Sequence, residues 1–421
     1  MAEAVATSGG GTERTGEYEA ITLVSAAHFV QHFQSLVLPP LFPFLTAQFG
    51  VGFVELGLAL AVSNVFAVAA QLPVGFLVDR IGSRRMLVLA LIVTGLAFLS
   101  FAVAPSYPRL LLMMAFVGLS NSVFHPADYA ILSARIAPAR LGRAFSVHSF
   151  AGFIGTAVAP VTMLAIVAAA GLNIGFALVG ILALTVAVPL SLAHRVDSTV
   201  LHRRAGEPDP ASGERGGLTS ILTPSILALT GFFALLSLSS SGISNFSVVA
   251  LTSAFDTPLS VASLALTGYL TAQAFGVLAG GFVADLTRRH AEVAALGYGV
   301  NACIVLVIGT IGLGAAPLIA AMAIAGFLGG MIMPSRDMLV RAAAPPGAIG
   351  RTFGVVTAGF NIAGMVGPLL FGFIMDHGMP QWVFGASVII MAVTAALALI
   401  GDRRVAANRR RRAAIAAEAV E

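Results

Sequence analysis

Residues Gly118–Pro160 read GLSNSVFHPADYAILSARIAPARLGRAFSVHSFAGFIGTAVAP. Two apolar segments flank a short Arg-rich stretch. His125, Asp128 and His148 sit inside the apolar parts. Residues 326–368 repeat the pattern as GFLGGMIMPSRDMLVRAAAPPGAIGRTFGVVTAGFNIAGMVGP, at an offset of 208. Gly118 meets Gly326, Pro126 meets Pro334 and Pro138 meets Pro346. Gly142 and Arg143 meet Gly350 and Arg351, Phe145 meets Phe353, and Pro160 meets Pro368. A constant register over that length marks an internal duplication, the sign of a two-half membrane transporter.

Composition sets the solvent. The chain is 58% hydrophobic and 10% charged, with a mean hydropathy of +0.94. Soluble domains carry roughly 25% charged residues. A length of 421 residues holds about twelve spans of roughly 20 residues plus loops. Spans are expected at 20–48, 55–78, 86–105, 108–132, 144–170 and 172–193, then at 220–254, 259–284, 292–314, 317–341, 352–375 and 380–400. This divides the chain into an N-terminal tail (1–19), a six-helix bundle (20–194), a linker (195–219), a second bundle (220–400) and an Arg-rich tail (401–421). The N-terminal tail lacks the cationic start of a cleaved signal peptide.

All 23 basic residues are arginine. With the N-terminus inside, 21 of the 23 fall in inner loops, inner helix ends or tails. Arg109 falls outside and Arg336 falls within a span. This bias predicts that both termini are cytoplasmic. Tyr107 and Trp382 mark the outer aromatic belt and Tyr18 the inner one. The arginines form no contiguous basic face, so no nucleic-acid partner is expected. The lone Cys303 excludes a disulfide framework and a thiolate metal site. Without lysine there is no nucleotide-binding Gly-x-x-x-x-Gly-Lys-Ser/Thr loop, and no enzyme motif such as His-Glu-x-x-His appears. The expectation is a non-enzymatic, cofactor-free transporter driven by an ion or solute gradient.

The loop after the second expected span carries Gly75, Asp79, Arg80, Gly82, Arg84 and Arg85. Gly281, Asp285, Arg288 and Arg289 follow the eighth span, Asp285 lying 206 residues after Asp79. This pattern resembles the loop signature of the major facilitator superfamily, over essentially the whole chain. Gly152–Pro160 (GFIGTAVAP) and Phe124–Pro126 are most similar to the fosmidomycin-resistance-type efflux proteins. The resemblance implies an all-α fold of twelve transmembrane helices in two pseudo-symmetric bundles, acting as a monomer in the cytoplasmic membrane. It implies that Asp79 and its arginines gate the cytoplasmic side. It also places spans 1, 4, 7 and 10 around a central cavity. Two departures stand out: Ala159 replaces a usual Gly, and Met114 replaces the fourth-span Arg used in drug–proton antiport schemes.

An ionisable group in hydrocarbon costs roughly 2.5–3.5 kcal/mol, so each needs a reason. His28, His32 and Ser35 fall at i, i+4 and i+7, with Ser25 and Gln31 on the same side; Asn121, His125 and Asp128 share a face in the fourth span. Histidine titrates near neutral pH and a desolvated carboxylate can be shifted there. Asp128, His125 and His28 are therefore expected to carry protons. Substrate is expected to meet His28, Gln31, His32, Asn121, His125, His148, Ser241, Asn245, Gln273, Arg336 and Asn361. Phe232, Phe233, Phe246 and Phe360 lie near the hydroxyl- and amide-rich wall of the second half, a lining that suits a substrate with apolar and hydrogen-bonding parts; most of the phenylalanines are read as lipid-facing or packing. Gating is assigned to Asp79, Arg80, Arg84, Asp128, Asp285, Arg336 and Asp337. Asp128 and Arg336 occupy matched positions and are expected to pair, the alternative being that Asp337 neutralises Arg336 locally. The predicted activity is proton-coupled efflux of a small amphipathic or anionic compound. Uptake of a small organic anion is the alternative. No metal site is assigned, although the clustered histidines and Asp128 also fit divalent-metal transport.

Overall fold

A computed structural model describes residues 3–196, 223–287, 289–344 and 349–418, and every element among them is helical. Most of the expected linker, with Arg203, Arg204 and Arg215, lies outside the described residues. So do Arg288 and Pro346, and the side chain of Asp79 is likewise not described. Among the described residues, twelve helical segments are long and apolar enough to cross a membrane. They overlap the twelve expected spans one for one.

The first unit holds α1 (Glu3–Ser35), α2 (Phe42–Phe49), α3 (Phe53–Ile81), α4 (Ser83–Val103), α5 (Tyr107–Arg135), α6 (Pro138–Ala170) and α7 (Leu172–Leu192). Its core packs Val24, Ala27 and Val30 of α1 against Leu87 and Leu91 of α4 and against Phe124 and Ile131 of α5. The expected first span, 20–48, is interrupted. α1 stops at Ser35, and a short 3-10 turn at Pro39–Leu41 leads into α2. Two successive prolines lack the N–H groups that would continue the helix. α6 begins at Pro138, six residues before the expected start at 144. Proline's fixed φ suits the first helical position. Arg140 and Arg143 therefore belong to the opening turns of a helix rather than to a loop. Glu17 of α1 holds that opening in place: its carboxylate accepts from Ala137 N at 3.0 Å and from Arg140 Nε at 2.9 Å.

This unit also takes in Pro368–Asp376. The Asp376 carboxylate accepts from Phe53 N at 2.7 Å and Val54 N at 2.8 Å, at the start of α3. It fills the orphan donors that every helix N-terminus presents.

The second unit holds α8 (Pro224–Phe255), α9 (Leu259–Leu286), α10 (His290–Thr310), α11 (Ala315–Ala343), most of α12 (Ile349–Asp376) and α13 (Gln381–Glu418). α13 runs on through the expected tail, where Ala and Arg, both strong helix formers, dominate.

The duplication reappears as a duplicated contact. In the first unit Gly118 of α5 lies against the Ser63 carbonyl of α3. In the second, Gly326 of α11 lies against the Tyr269 carbonyl of α9. These pairs sit at the 208- and 206-residue offsets read in the sequence. α9 and α11 repeat the device: Gly276 abuts the Phe327 carbonyl, Gly280 abuts Met331, and Gly330 abuts Gln273. Small residues four apart let backbones meet. Gly326→Val would drive a side chain into the Tyr269 carbonyl. We expect a loss of roughly 1–3 kcal/mol, read as a lower melting midpoint of the purified protein; an unchanged midpoint would contradict this packing.

Candidate functional site

α1, α5 and α6 bring their ionisable side chains to one place in the first unit. α1 supplies His28 and His32, one turn apart. α5 supplies His125 and Asp128, and α6 supplies His148. The His28 Nδ1 atom is 3.3 Å from Asp128 Oδ2. The His148 Nε2 atom is 3.5 Å from the same oxygen. The His28 and His148 rings stack at 3.9 Å between centroids. His32 lies 4.4 Å and His125 5.3 Å from the His28 ring. Asp128 is 0% exposed, His148 1% and His28 4%, so water does not solvate this carboxylate. His125 is exposed.

Sequence reasoning named all five residues from three separate arguments. It did not foresee that one oxygen of Asp128 meets two imidazoles. It also missed Thr156, whose Oγ1 is 3.0 Å from His32 Nδ1, and Tyr129, stacked on His125 at 5.9 Å. Thr156 shares a face with His148 and Gly152 by steps of four, a signal that was present. Gln31 Nε2 donates to Asn121 Oδ1 at 3.4 Å, joining two expected residues. Gly152 makes room for the cluster. A Cβ there would lie 2.6 Å from His28 Cδ2 and 3.0 Å from His32 Cδ2.

Among the described residues, neither oxygen of Asp128 has a fully formed hydrogen bond, nor does either nitrogen of His148 or Nδ1 of His28. A buried carboxylate left this way costs free energy. One proton relieves it. Placed on His28 or His148, the proton creates an ion pair with Asp128; placed on Asp128, it leaves the cluster neutral. Both arrangements hold one proton more than the bare anion, so the cluster can take up that proton and give it back. Its donor atoms all lie within 4.8 Å of one another, and donors of this type can also hold a divalent ion.

The remaining expected residues lie elsewhere. Arg84 is buried and donates to Ser191 O at 2.6 Å and Leu190 O at 3.3 Å. It caps the C-terminal end of α7, where a cation is favoured. Arg80 and Asp285 are exposed at the ends of α3 and α9. In the second unit Asn245 Nδ2 donates to Ser241 Oγ at 3.2 Å. Gln273 faces Gly329, along with Tyr269 and Asn301. Asn361 is half-buried on α12.

Arg336 donates from Nε to Asp337 Oδ1 at 2.9 Å, the local neutralisation weighed above. Its guanidinium carbon lies 4.8 Å from the Phe233 ring and 5.1 Å from the Phe360 ring. These two aromatics, from which no pocket was built in the sequence reading, thus meet a charge. The signal was hidden because a Phe in an apolar span is ambiguous between lipid contact and site lining.

Two six-helix bundles with a duplicated glycine contact and a buried ionisable cluster describe a transporter fold. A family model for the Major Facilitator Superfamily matches residues 24–247 and 227–420. The chain belongs to the Major Facilitator Superfamily.

Other superfamily members resemble it over different lengths. The fosmidomycin resistance protein of Escherichia coli (strain K12) is 27% identical over 286 residues, covering 66% of this chain and 68% of that protein. A Na(+), Li(+), K(+)/H(+) antiporter of Planococcus maritimus is 37% identical over 103 residues, 23% of this chain and 24% of the antiporter. An uncharacterized MFS-type transporter of Bacillus subtilis (strain 168), YfnC, is 27% identical over 146 residues, 35% of this chain and 36% of the relative. The chain thus aligns with well under half the length of the last two. Among solved structures, a bacterial homolog of the human lysosomal transporter Spinster superposes with a TM-score of 0.78 at 14% identity, covering 92% of this chain and 97% of that one. A mutant of the nucleoside transporter NupG gives 0.76 at 12% identity, covering 91% and 99%. At these identities the likeness concerns the superfamily fold alone.

Proposed function

We propose that this superfamily member is a proton-coupled exporter of a small amphipathic or anionic compound. It works by alternating access in the cytoplasmic membrane, with both termini in the cytoplasm. The observation that carries this reading is the buried Asp128 carboxylate with His28 and His148 at 3.3 and 3.5 Å. A carboxylate in hydrocarbon is expensive and marks ion pathways. Asp128 is the main proton carrier, His28 its partner, and exposed His125 the entry point. His32, Gln31 and Asn121 extend the polar wall in the first unit. Ser241, Asn245, Gln273, Arg336 and Asn361 are the polar groups that the second unit offers to substrate. Two relatives, a fosmidomycin resistance protein and a cation/proton antiporter, lend support to export and to proton coupling.

The test is transport in inverted membrane vesicles that hold a proton gradient. A panel of carboxylates, phosphonates and lipophilic amphiphiles is added in turn. Export predicts that at least one compound accumulates in the vesicles and discharges the gradient in a protein-dependent way. Accumulation in right-side-out vesicles instead would favour uptake of an organic anion, for which Arg336 supplies the cation. Movement of divalent metal in place of organic compounds would overturn the proposal.

A further inference from the structure

The second unit holds a charge that proton transfer does not use. Arg336 lies seven residues from the end of α11, about 10 Å into the span. Its side chain is 13% exposed. The Phe233 and Phe360 centroids are 5.0 Å apart, nearly equal to their distances of 4.8 and 5.1 Å from the guanidinium carbon. The three points form an almost equilateral triangle. Both rings therefore lie to one side of the guanidinium; a sandwich would set them far wider apart. Asp337 takes Nε. Among the described residues, no hydrogen bond is formed by the two terminal nitrogens of Arg336, which carry four N–H donors. Asp337 itself is 46% exposed, so this pair is not sealed against a third party.

A guanidinium braced on aromatics and fastened at Nε presents its outer edge as a fixed fork. That edge matches two oxygens of a carboxylate or phosphonate. We infer that Arg336 binds the oxyanion of a small organic acid through its two terminal nitrogens, with Phe233 and Phe360 holding the fork in place. This rests on the reading of the protein as a carrier of a small amphipathic or anionic compound, and it chooses the anion. Asp337 is the built-in competitor: it lowers affinity and lets the acid leave.

The experiment is equilibrium binding to the purified full chain in detergent, without any proton gradient. The probes are benzoate, its tetrahedral counterpart phenylphosphonate, and neutral benzamide. At least one of the two acids is expected to bind, and benzamide is not. Arg336→Lys keeps the charge and loses the fork; binding should fall about tenfold or more, the worth of one charge-assisted hydrogen bond. Asp337→Asn should tighten binding. A melting curve on each variant separates loss of binding from loss of fold. Three outcomes overturn the inference: benzamide binding as well as the acids, no acid binding to the wild-type chain, or Arg336→Lys binding like wild type. Because binding is read without a gradient, a failure of proton coupling leaves this result intact, and the two readings fail separately.

Discussion

Asp128→Asn should abolish substrate-driven proton movement in proteoliposomes, down to the background of protein-free vesicles. The substitution keeps the size of the side chain and removes its ability to take and release a proton. Asp128 is 0% exposed and meets His28 and His148 at 3.3 and 3.5 Å. An amide there still fits between the imidazoles, so the protein should elute and melt much as the wild type does. The change leaves a neutral side chain beside the imidazoles, and neutral imidazoles need no buried counter-charge. Folded but uncoupled protein is the expected pair of results. Proton movement persisting in this variant would remove Asp128 from the mechanism.

Gly152→Ala should have the second largest effect. One methyl group would lie 2.6 Å from His28 Cδ2 and 2.7 Å from His28 Nε2. The imidazole cannot stay where it is. Moving it opens the 3.3 Å contact to Asp128 and disturbs the 3.9 Å stack with His148. Displacements near 1 Å at a reacting centre cost about 10²-fold in rate. Transport should fall by a similar factor, with only a modest drop in melting midpoint. Gly299→Ala is the control, since a Cβ there meets nothing within 4 Å. Equal transport by the two variants would count against the placement of His28.

Much of the architecture was readable because hydrocarbon is a strict solvent. A run of about 20 apolar residues has few alternatives to a spanning helix. The register of the duplication matched Gly118 with Gly326, and both meet a neighbouring backbone. The ends were less legible. The break at Pro39–Leu41 was missed because the surrounding stretch is apolar, although two adjacent prolines were visible. The start of α6 at Pro138 was missed because charge suggested a loop, whereas proline at the first turn suggested a helix. In the site, the i, i+4, i+7 rows found the polar faces of α1 and α5. They could not show that α6 brings His148 to the same carboxylate oxygen, since spacing along one helix says nothing of its rotation against another. The pairing of Arg336 with Asp337 was weighed as an alternative, whereas its contact with Phe233 and Phe360, which come from other helices, was not foreseen for the same reason.

The glycine steps between α9 and α11 carry a mechanical consequence. Gly276 and Gly280 of α9 and Gly326 and Gly330 of α11 each seat against the other helix's backbone. Neither rod can slide along its partner without lifting out of several notches at once. Two spectroscopic labels, one on each of these helices, should therefore keep a constant separation through every stage of turnover. Such a pair would serve as an internal ruler against which genuinely mobile distances in the same molecule can be calibrated.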